Sequence, residues 1–386
     1  MKKSTLAIRT QTPRTPQGEH ATPLFLTSSF CFDNAESMRA AFADETDDNI
    51  YSRFSNPNVQ EFTQKMVAIE GAEAGYAMAS GMGAVFGSMM ALLQQGDHLL
   101  SCQSIFGSTH TVIAKYLPKY GIETSYIAAT ASAAEWAAAL RPNTKMVYLE
   151  TPTNPGLDVL DIAMISALCK ERGIILNVDN CFATPFNQTP IDFGADLVVH
   201  SATKWIDGQG RVLGGVVVGR ADLIKEIYLF CRSTGPALSP FNAWVLSKSL
   251  ETLEVRMEKH ASNALYLAEQ LSAHPALVDL RYPFLATHPQ CDIAKKQMQN
   301  GGGIVCFNVK GGLAAGRQFL DRLQLLSLTA NLGDARSIAS HPASTTHAKL
   351  SEADRAAVGI GPGLIRISAG LEDKDDILAD ILQALG

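Results

Sequence analysis

Two apolar runs that end at chemically active residues most constrain the fold of this chain. Residues 174–178 are closed by Asp179, and residues 195–199 lead into Ser201-Ala202-Thr203-Lys204. Short apolar runs separated by helical patterns, such as the one over residues 162–171, favour a parallel sheet covered on both faces. Since ligands bind at the carboxyl ends of the strands in such sheets, we expect Asp179 and Lys204 to lie near each other there.

The rest of the chain extends this α/β pattern into three parts. Further strands are predicted over residues 98–102, 146–150 and 215–219, and helices over residues 59–70 and 84–93. A helix-rich segment over residues 240–273 leads to two strands of a second sheet, over residues 303–309 and 363–368. We therefore expect an N-terminal arm (1–56) that contacts a partner subunit, a large domain (57–248) and a smaller C-terminal α/β domain (249–386).

Composition excludes several classes of protein. The 386 residues are 46% hydrophobic and 18% charged, with a formal net charge of -6, which argues against nucleic acid or an anionic membrane surface as a partner. The seven cysteines are scattered without a Cys-x-x-Cys pair, so we expect a reducing cytoplasm, no disulfide framework and no metal site. No signal peptide and no membrane span are predicted.

A lysine and an acid at strand ends are what pyridoxal phosphate (PLP) requires. The lysine forms a Schiff base with the aldehyde, and the acid keeps the pyridinium nitrogen protonated so that the ring acts as an electron sink. A lone lysine at a strand end is usually a surface residue, but Ser201 and Thr203 beside Lys204 can bind a phosphate. Asp179 has an alternative interpretation as a helix N-cap.

Two other segments offer donors to a phosphate group. Ser80-Gly81-Met82-Gly83 precedes an apolar helical stretch, whose backbone N–H groups and dipole can face an anion. Tyr51 and Arg53 add a phenol and a guanidinium within three positions. Each signal is weak alone, because serine–glycine pairs often begin helices and a lone arginine is usually on the surface.

Arg366 lies in a predicted strand between apolar neighbours. A buried arginine needs an anionic partner, and the α-carboxylate of an amino-acid substrate can be held bidentately. An internal salt bridge is the alternative.

Together these residues resemble the Cys/Met-metabolism PLP-dependent enzymes, the family of cystathionine synthases and lyases. The resemblance spans essentially the whole chain and includes further runs at residues 150–155 and 341–343. It implies PLP-dependent transferase fold type I in a homotetramer built from tight dimers, with Tyr51 and Arg53 reaching the cofactor of the neighbouring subunit. The resemblance also implies Ser80, Gly81, Met82, Ser201, Thr203 and Phe106 as cofactor-binding residues, and Asn154, Asn331, Tyr51 and Arg366 as substrate-binding residues.

Within the family, the runs at residues 105–109, 207–215, 235–244 and 331–334 look most like the O-succinylhomoserine sulfhydrylases. Where most members stack a tyrosine on the cofactor ring this chain has Phe106, which we count as catalytic together with Lys204 and Asp179. Asn331 stands where many members have serine, and Ser108 where methionine γ-lyases have cysteine.

The resemblance implies γ-replacement, in which sulfide or cysteine displaces the acyl group of an acyl-homoserine. We expect O-succinylhomoserine and sulfide to give homocysteine and succinate, a step of methionine biosynthesis. Cystathionine γ-synthase and cystathionine or methionine γ-lyase activity are the alternatives, as is a PLP-binding protein without turnover.

Overall fold

A seven-stranded sheet forms the centre of the larger part of the chain. The computed structural model describes residues 1–345, 348, 351, 352, 355 and 359–386. The strands are β1 (Ala74–Met78), β2 (His98–Cys102), β3 (Glu123–Ile127), β4 (Thr144–Glu150), β5 (Ile175–Asp179), β6 (Leu197–Ser201) and β7 (Gly215–Gly219). Their order is β1-β7-β6-β5-β4-β2-β3, and β7 runs antiparallel to the other six strands. The sheet is mainly parallel, so the carboxyl ends of β2, β4, β5 and β6 meet at one edge.

Helices cover both faces of this sheet and extend to the C-terminus. The α-helices are α1 (Lys3–Arg9), α2 (Ala35–Phe42), α3 (Pro57–Glu70), α4 (Gly81–Leu92), α5 (Gly107–Thr111), α6 (Ala133–Ala139), α7 (Ile162–Lys170), α8 (Ala221–Thr234), α9 (Pro240–Leu250), α10 (Leu253–Leu271), α11 (Cys291–Gln297), α12 (Gly312–Arg322) and a C-terminal helix (Lys374–Leu385). Local chemistry sets their ends. Asn56 caps α3, which has proline in its first turn and ends at Gly71 with φ 70°.

A second, five-stranded sheet lies toward the C-terminus. Its strands are β8 (Leu277–Arg281), β9 (Ile304–Val309), β10 (Ser327–Leu328), β11 (Ile338–Ser340) and β12 (Leu364–Ser368), in the order β10-β11-β12-β9-β8. β12 is the central strand, and its Arg366 pairs with Ser340 on one side and Cys306 on the other. Apolar side chains from this sheet, α10 and the C-terminal helix form a separate core.

Polar contacts attach the N-terminal arm to the body of the protein. The Thr12 N–H donates to the Glu61 carboxylate over 2.9 Å, and the Trp244 indole N–H donates to the Thr22 carbonyl over 2.9 Å. Glu61 is itself buried on α3 beside Lys65, with 3.5 Å between their charged atoms. The arm therefore follows the surface of the large sheet's helices rather than forming a core of its own.

Among the described helices, none is long and apolar enough to cross a membrane.

Candidate active site

The carboxyl edge of the large sheet gathers the polar residues that end its strands. Asp179 is the last residue of β5, and Glu150, the last residue of β4, lies opposite it in the strand register. Ser201 ends β6, and Lys204 follows in the turn that leaves this strand. The edge predicted from the apolar runs therefore carries both residues.

Lys204 contacts residues 331–333, which belong to the C-terminal part of the chain. Its Nζ donates to the side-chain oxygen of Asn331 over 2.5 Å. Gly333 allows this approach, since its φ is 74° and an added Cβ would lie 2.5 Å from the Trp205 backbone nitrogen. Burial, helped by the positive charge of Arg366, lowers the pKa of Lys204. At a given pH, more of the amine is therefore uncharged and able to act as a base or nucleophile.

Arg366 is buried beside the same segment. Only 5% of the residue is exposed. It donates from Nη1 to the side-chain oxygen of Asn154 over 2.9 Å, and from Nη2 to the backbone carbonyl of Asn331 over 3.1 Å. Both acceptors are neutral, and Nε has no partner among the described residues. A buried guanidinium with neutral partners and a free donor suits an incoming carboxylate better than the internal salt bridge considered above.

Asp179 is oriented by two donors. The Cys181 backbone N–H donates to Oδ1 over 2.9 Å, and the Tyr148 hydroxyl donates to Oδ2 over 3.2 Å. Residues 181–183 form a turn, so Asp179 does not cap a helix here. Burial raises the pKa of this carboxyl group. A cationic partner, such as a protonated pyridine nitrogen, would stabilise the charged carboxylate in this environment.

The start of α4 lies directly against the end of β6. Ser80 caps the helix, accepting a hydrogen bond from the Gly83 N–H over 3.0 Å. A Cβ added to Gly81 would lie 2.5 Å from the Ser201 Cβ, so only glycine permits this contact. The free N–H groups of the first turn and the Ser201 hydroxyl are thereby brought together, as an anion site requires.

Two predicted cofactor residues near this anion site have partners within the protein. The hydroxyl of Thr203 accepts a hydrogen bond from the Gly214 N–H over 3.2 Å. The sulfur of Met82 lies 3.7 Å from the Thr109 hydroxyl. Thr203 therefore also tethers the loop before β7, and Met82 contacts the α5 segment that follows Phe106.

Phe106 and two residues without a predicted role complete this edge. Phe106 immediately precedes α5, its backbone N–H donates to Glu150 Oε2 over 2.7 Å, and it is 40% exposed. No role was predicted for Glu150 or Tyr148. Glu150 follows an apolar run at the end of a strand, as Asp179 does, and could have been predicted on the same ground. Tyr148 lies within such a run, where it looks like an ordinary core residue.

Tyr51 and Arg53 have different surroundings. The Arg53 guanidinium donates to the carbonyl of Arg232 on α8 and lies over the ring of Phe54, with 4.8 Å from its central carbon to the ring centre. Tyr51 is 41% exposed. The contacts of Arg53 within the described chain are thus with α8 and the arm, and the structure does not join this pair to Lys204 or Asp179.

Comparison with known proteins identifies the family. The family model described as "Cys/Met metabolism PLP-dependent enzyme" matches residues 4–386. The chain belongs to this family. It is therefore a PLP-dependent enzyme, and its site offers what that cofactor needs: a half-buried lysine of lowered pKa, a strand-end carboxylate and a helix N-terminus that Gly81 brings against Ser201. The resemblance inferred from the motifs is confirmed.

Individual relatives carry two different activities. An O-succinylhomoserine sulfhydrylase of Pseudomonas aeruginosa is 47% identical over 381 residues, covering 99% of this chain and 94% of the relative. An L-methionine gamma-lyase of Porphyromonas gingivalis is 42% identical over 368 residues, covering 95% and 92%. Similarity therefore establishes the family, and both of these activities occur within it.

A solved structure supports the fold and the cofactor. A putative O-acetylhomoserine (thiol)-lyase of Campylobacter jejuni, with N'-pyridoxyl-lysine-5'-monophosphate, superposes with a TM-score of 0.96 at 34% identity. The match covers 100% of both chains. The α/β fold of the PLP-dependent transferases predicted from sequence is confirmed.

Proposed function

We propose that this enzyme replaces the succinyl group of O-succinylhomoserine by sulfide, giving homocysteine and succinate in methionine biosynthesis. The observation that carries the proposal is that Asn331 binds two groups of the site. Its side-chain oxygen accepts a hydrogen bond from Lys204, and its backbone carbonyl accepts one from Arg366. An α-amino acid bound by its carboxylate to Arg366 would bring its Cα close to the Lys204 amine. The 47% identity to an O-succinylhomoserine sulfhydrylase supports the choice of donor.

In this proposal, different residues at the sheet edge bind different parts of the cofactor. Lys204 would hold the aldehyde covalently, Asp179 the ring nitrogen, and the segment Ser80-Gly81-Met82 with Ser201 and Thr203 the phosphate. Phe106 would stack on the ring. When bound, the cofactor supplies the electron sink that stabilises negative charge at the substrate Cα.

The protein's own part in the reaction is to bind the substrate and to move protons. Arg366 and Asn154 orient the α-carboxylate, with Asn331 holding Arg366 in place and Tyr51 contributing from a second subunit. The Lys204 amine takes the proton from Cα, and a proton is then removed from Cβ as succinate leaves Cγ. The sulfur of sulfide bonds to Cγ, and protons return to Cβ and Cα. Phe106 has no hydroxyl, so Lys204 is the proposed carrier of these protons.

The γ-lyase reaction is the second candidate, since methionine gamma-lyases also match nearly the full chain. It expels a thiolate, which benefits from a proton donor near the leaving sulfur. This chain has Phe106 and Ser108 where, by the resemblance, such enzymes have tyrosine and cysteine. A carboxylate is a weaker base and leaves without that help, which favours an acyl-homoserine donor. Cystathionine γ-synthase activity would require only cysteine in place of sulfide.

We further propose a cytoplasmic homotetramer made of two tight dimers. Large apolar side chains on the arm are exposed in the single chain, among them Leu26, Met38 and Phe42. A second subunit that covers them would also bring Tyr51 and Arg53 to the neighbouring phosphate site. Exposed apolar surface of this kind supports a protein–protein contact.

Product analysis distinguishes these reactions. Purified holoenzyme is given O-succinylhomoserine or O-acetylhomoserine, with sulfide or cysteine, and separately methionine or cystathionine. We expect the largest kcat/KM for homocysteine formation from O-succinylhomoserine and sulfide, with cystathionine formation slower. A larger kcat/KM for release of an α-keto acid from methionine or cystathionine would refute the proposal in favour of the lyase.

A further inference from the structure

Glu150, at the carboxyl end of β4, is a buried carboxylate that the proposed proton transfers do not use. It is 4% exposed. Its Oε2 accepts from the Phe106 backbone N–H over 2.7 Å, and the backbone N–H of Asn154, four residues further along the chain, acts to lower its pKa. These two N–H groups belong to the segment that begins α5 and to the loop that follows β4.

These two segments perform different tasks in the proposed function. Phe106 begins the α5 segment that would lie against the cofactor ring. Asn154 is the residue whose side-chain oxygen accepts from Arg366 over 2.9 Å. Glu150 therefore lies between Phe106, which it binds directly, and the Asn154–Arg366 pair, with the Asn154 N–H close enough to affect its pKa.

A glutamate that is buried next to a second carboxyl group is unusual in a purely structural role. Burial and the neighbouring Asp179 carboxylate raise its pKa well above the ordinary value, and the N–H groups of Phe106 and Asn154 and the charge of Arg366 offset this only in part. A second carboxylate beside Asp179 is costly to bury unless its oxygens are well bonded. A carboxylate nevertheless offers two accepting oxygens, whereas an amide offers one oxygen and an NH₂ group that only donates.

We propose that Glu150 is a positioning residue that fixes the stacking segment at Phe106 relative to the carboxylate-binding pair Asn154–Arg366. The inference rests on the proposed function only in requiring a substrate that carries an α-carboxylate. The Glu150 side chain at the end of β4 binds Phe106, and the loop that carries Asn154 leaves from the same strand end, so one strand end sets the separation of the two segments.

The test compares two carboxylate-to-amide variants. Glu150→Gln removes one of the two acceptors at the site. Asp380→Asn is the matched control, because Asp380 is also buried and accepts from the backbone N–H groups of Gln324, Leu325 and Leu326. L-homoserine, which cannot lose an acyl group, is titrated into each holoenzyme and followed by the visible absorbance of the cofactor.

We expect Glu150→Gln to bind L-homoserine about tenfold more weakly, the effect of losing one hydrogen bond of about 1.4 kcal/mol. Asp380→Asn should lower the thermal midpoint yet bind L-homoserine as the wild type does. Wild-type affinity in Glu150→Gln, or an equal loss in Asp380→Asn, would overturn the inference.

Glu150→Asp keeps both oxygens but is one methylene shorter, which weakens the contact with the Phe106 N–H, so its affinity for L-homoserine should fall between those of the wild type and Glu150→Gln. Equal affinities of Glu150→Asp and Glu150→Gln would show that the number of accepting oxygens does not matter. If Glu150→Gln does not fold, Glu150→Asp carries the test, and wild-type affinity in it would overturn the inference. A wild-type enzyme that binds no L-homoserine would also overturn it. One that binds L-homoserine but makes no homocysteine from either acyl donor would contradict only the proposed function.

Discussion

Replacing Arg366 with alanine should weaken capture of the substrate while leaving the cofactor attached. The side chain is 5% exposed, and its Nε is buried without a partner among the described residues, so a carboxylate bound there is shielded from water. A hydrogen bond to a charged group contributes about 1.5–3 kcal/mol. The loss predicts a fall in kcat/KM for the acyl-homoserine of about 13- to 160-fold.

The assay is steady-state kinetics with each substrate varied in turn, expressed per covalently bound cofactor. The KM for the acyl-homoserine should rise, whereas the KM for sulfide, which has no carboxylate, should change little. Arg317→Ala, which removes an exposed arginine from α12 of the same part of the chain, is the control and should leave both constants unaltered. An unchanged kcat/KM in Arg366→Ala, or an equal rise in both KM values, would refute the assignment of Arg366 to the carboxylate.

Three further predictions address other parts of the site. Asp179→Ala should keep the covalent cofactor but lose most of its turnover, since an unprotonated ring is a poor electron sink; a near-normal kcat would contradict this role. Mixed subunits of inactive Arg53→Ala and Lys204→Ala should regain activity if Arg53 acts across a subunit boundary, and heterodimers without activity would place it elsewhere. Cofactor attachment to the apoprotein should accelerate as pH rises through the lowered pKa of Lys204. Removing the positive charge in Arg366→Ala should move that pH curve upward, and a downward shift would contradict the electrostatic argument.

The buried central strands of the large sheet were predictable from sequence, and the two edge strands were not. The predicted strands at residues 98–102 and 215–219 coincide with β2 and β7, since mainly apolar runs of this length mark a strand covered on both faces. β1 and β3 were missed. Both lie at an edge of the sheet: β1 consists largely of alanine and glycine, and β3 is mostly polar. The antiparallel direction of β7 has no signature in its own residues, because it depends on the path of the preceding loop.

Contacts between distant segments were the least predictable part of the site. The strand-end rule placed Asp179 and Lys204 at one edge, and it would have placed Glu150 there as well. The hydrogen bond between Lys204 and Asn331 joins residues 127 positions apart and depends on the close approach at Gly333. No local pattern encodes such a contact. Only the family resemblance indicated Asn154 and Asn331.

Every role proposed for the site residues depends on Lys204 being the residue that carries the cofactor. Borohydride reduction of the yellow holoenzyme, followed by peptide mapping, identifies the modified lysine directly. We predict loss of the visible absorbance and a single pyridoxyl adduct on Lys204, with no adduct in Lys204→Ala. A reduced adduct on any other lysine of the wild-type protein would contradict the site described above.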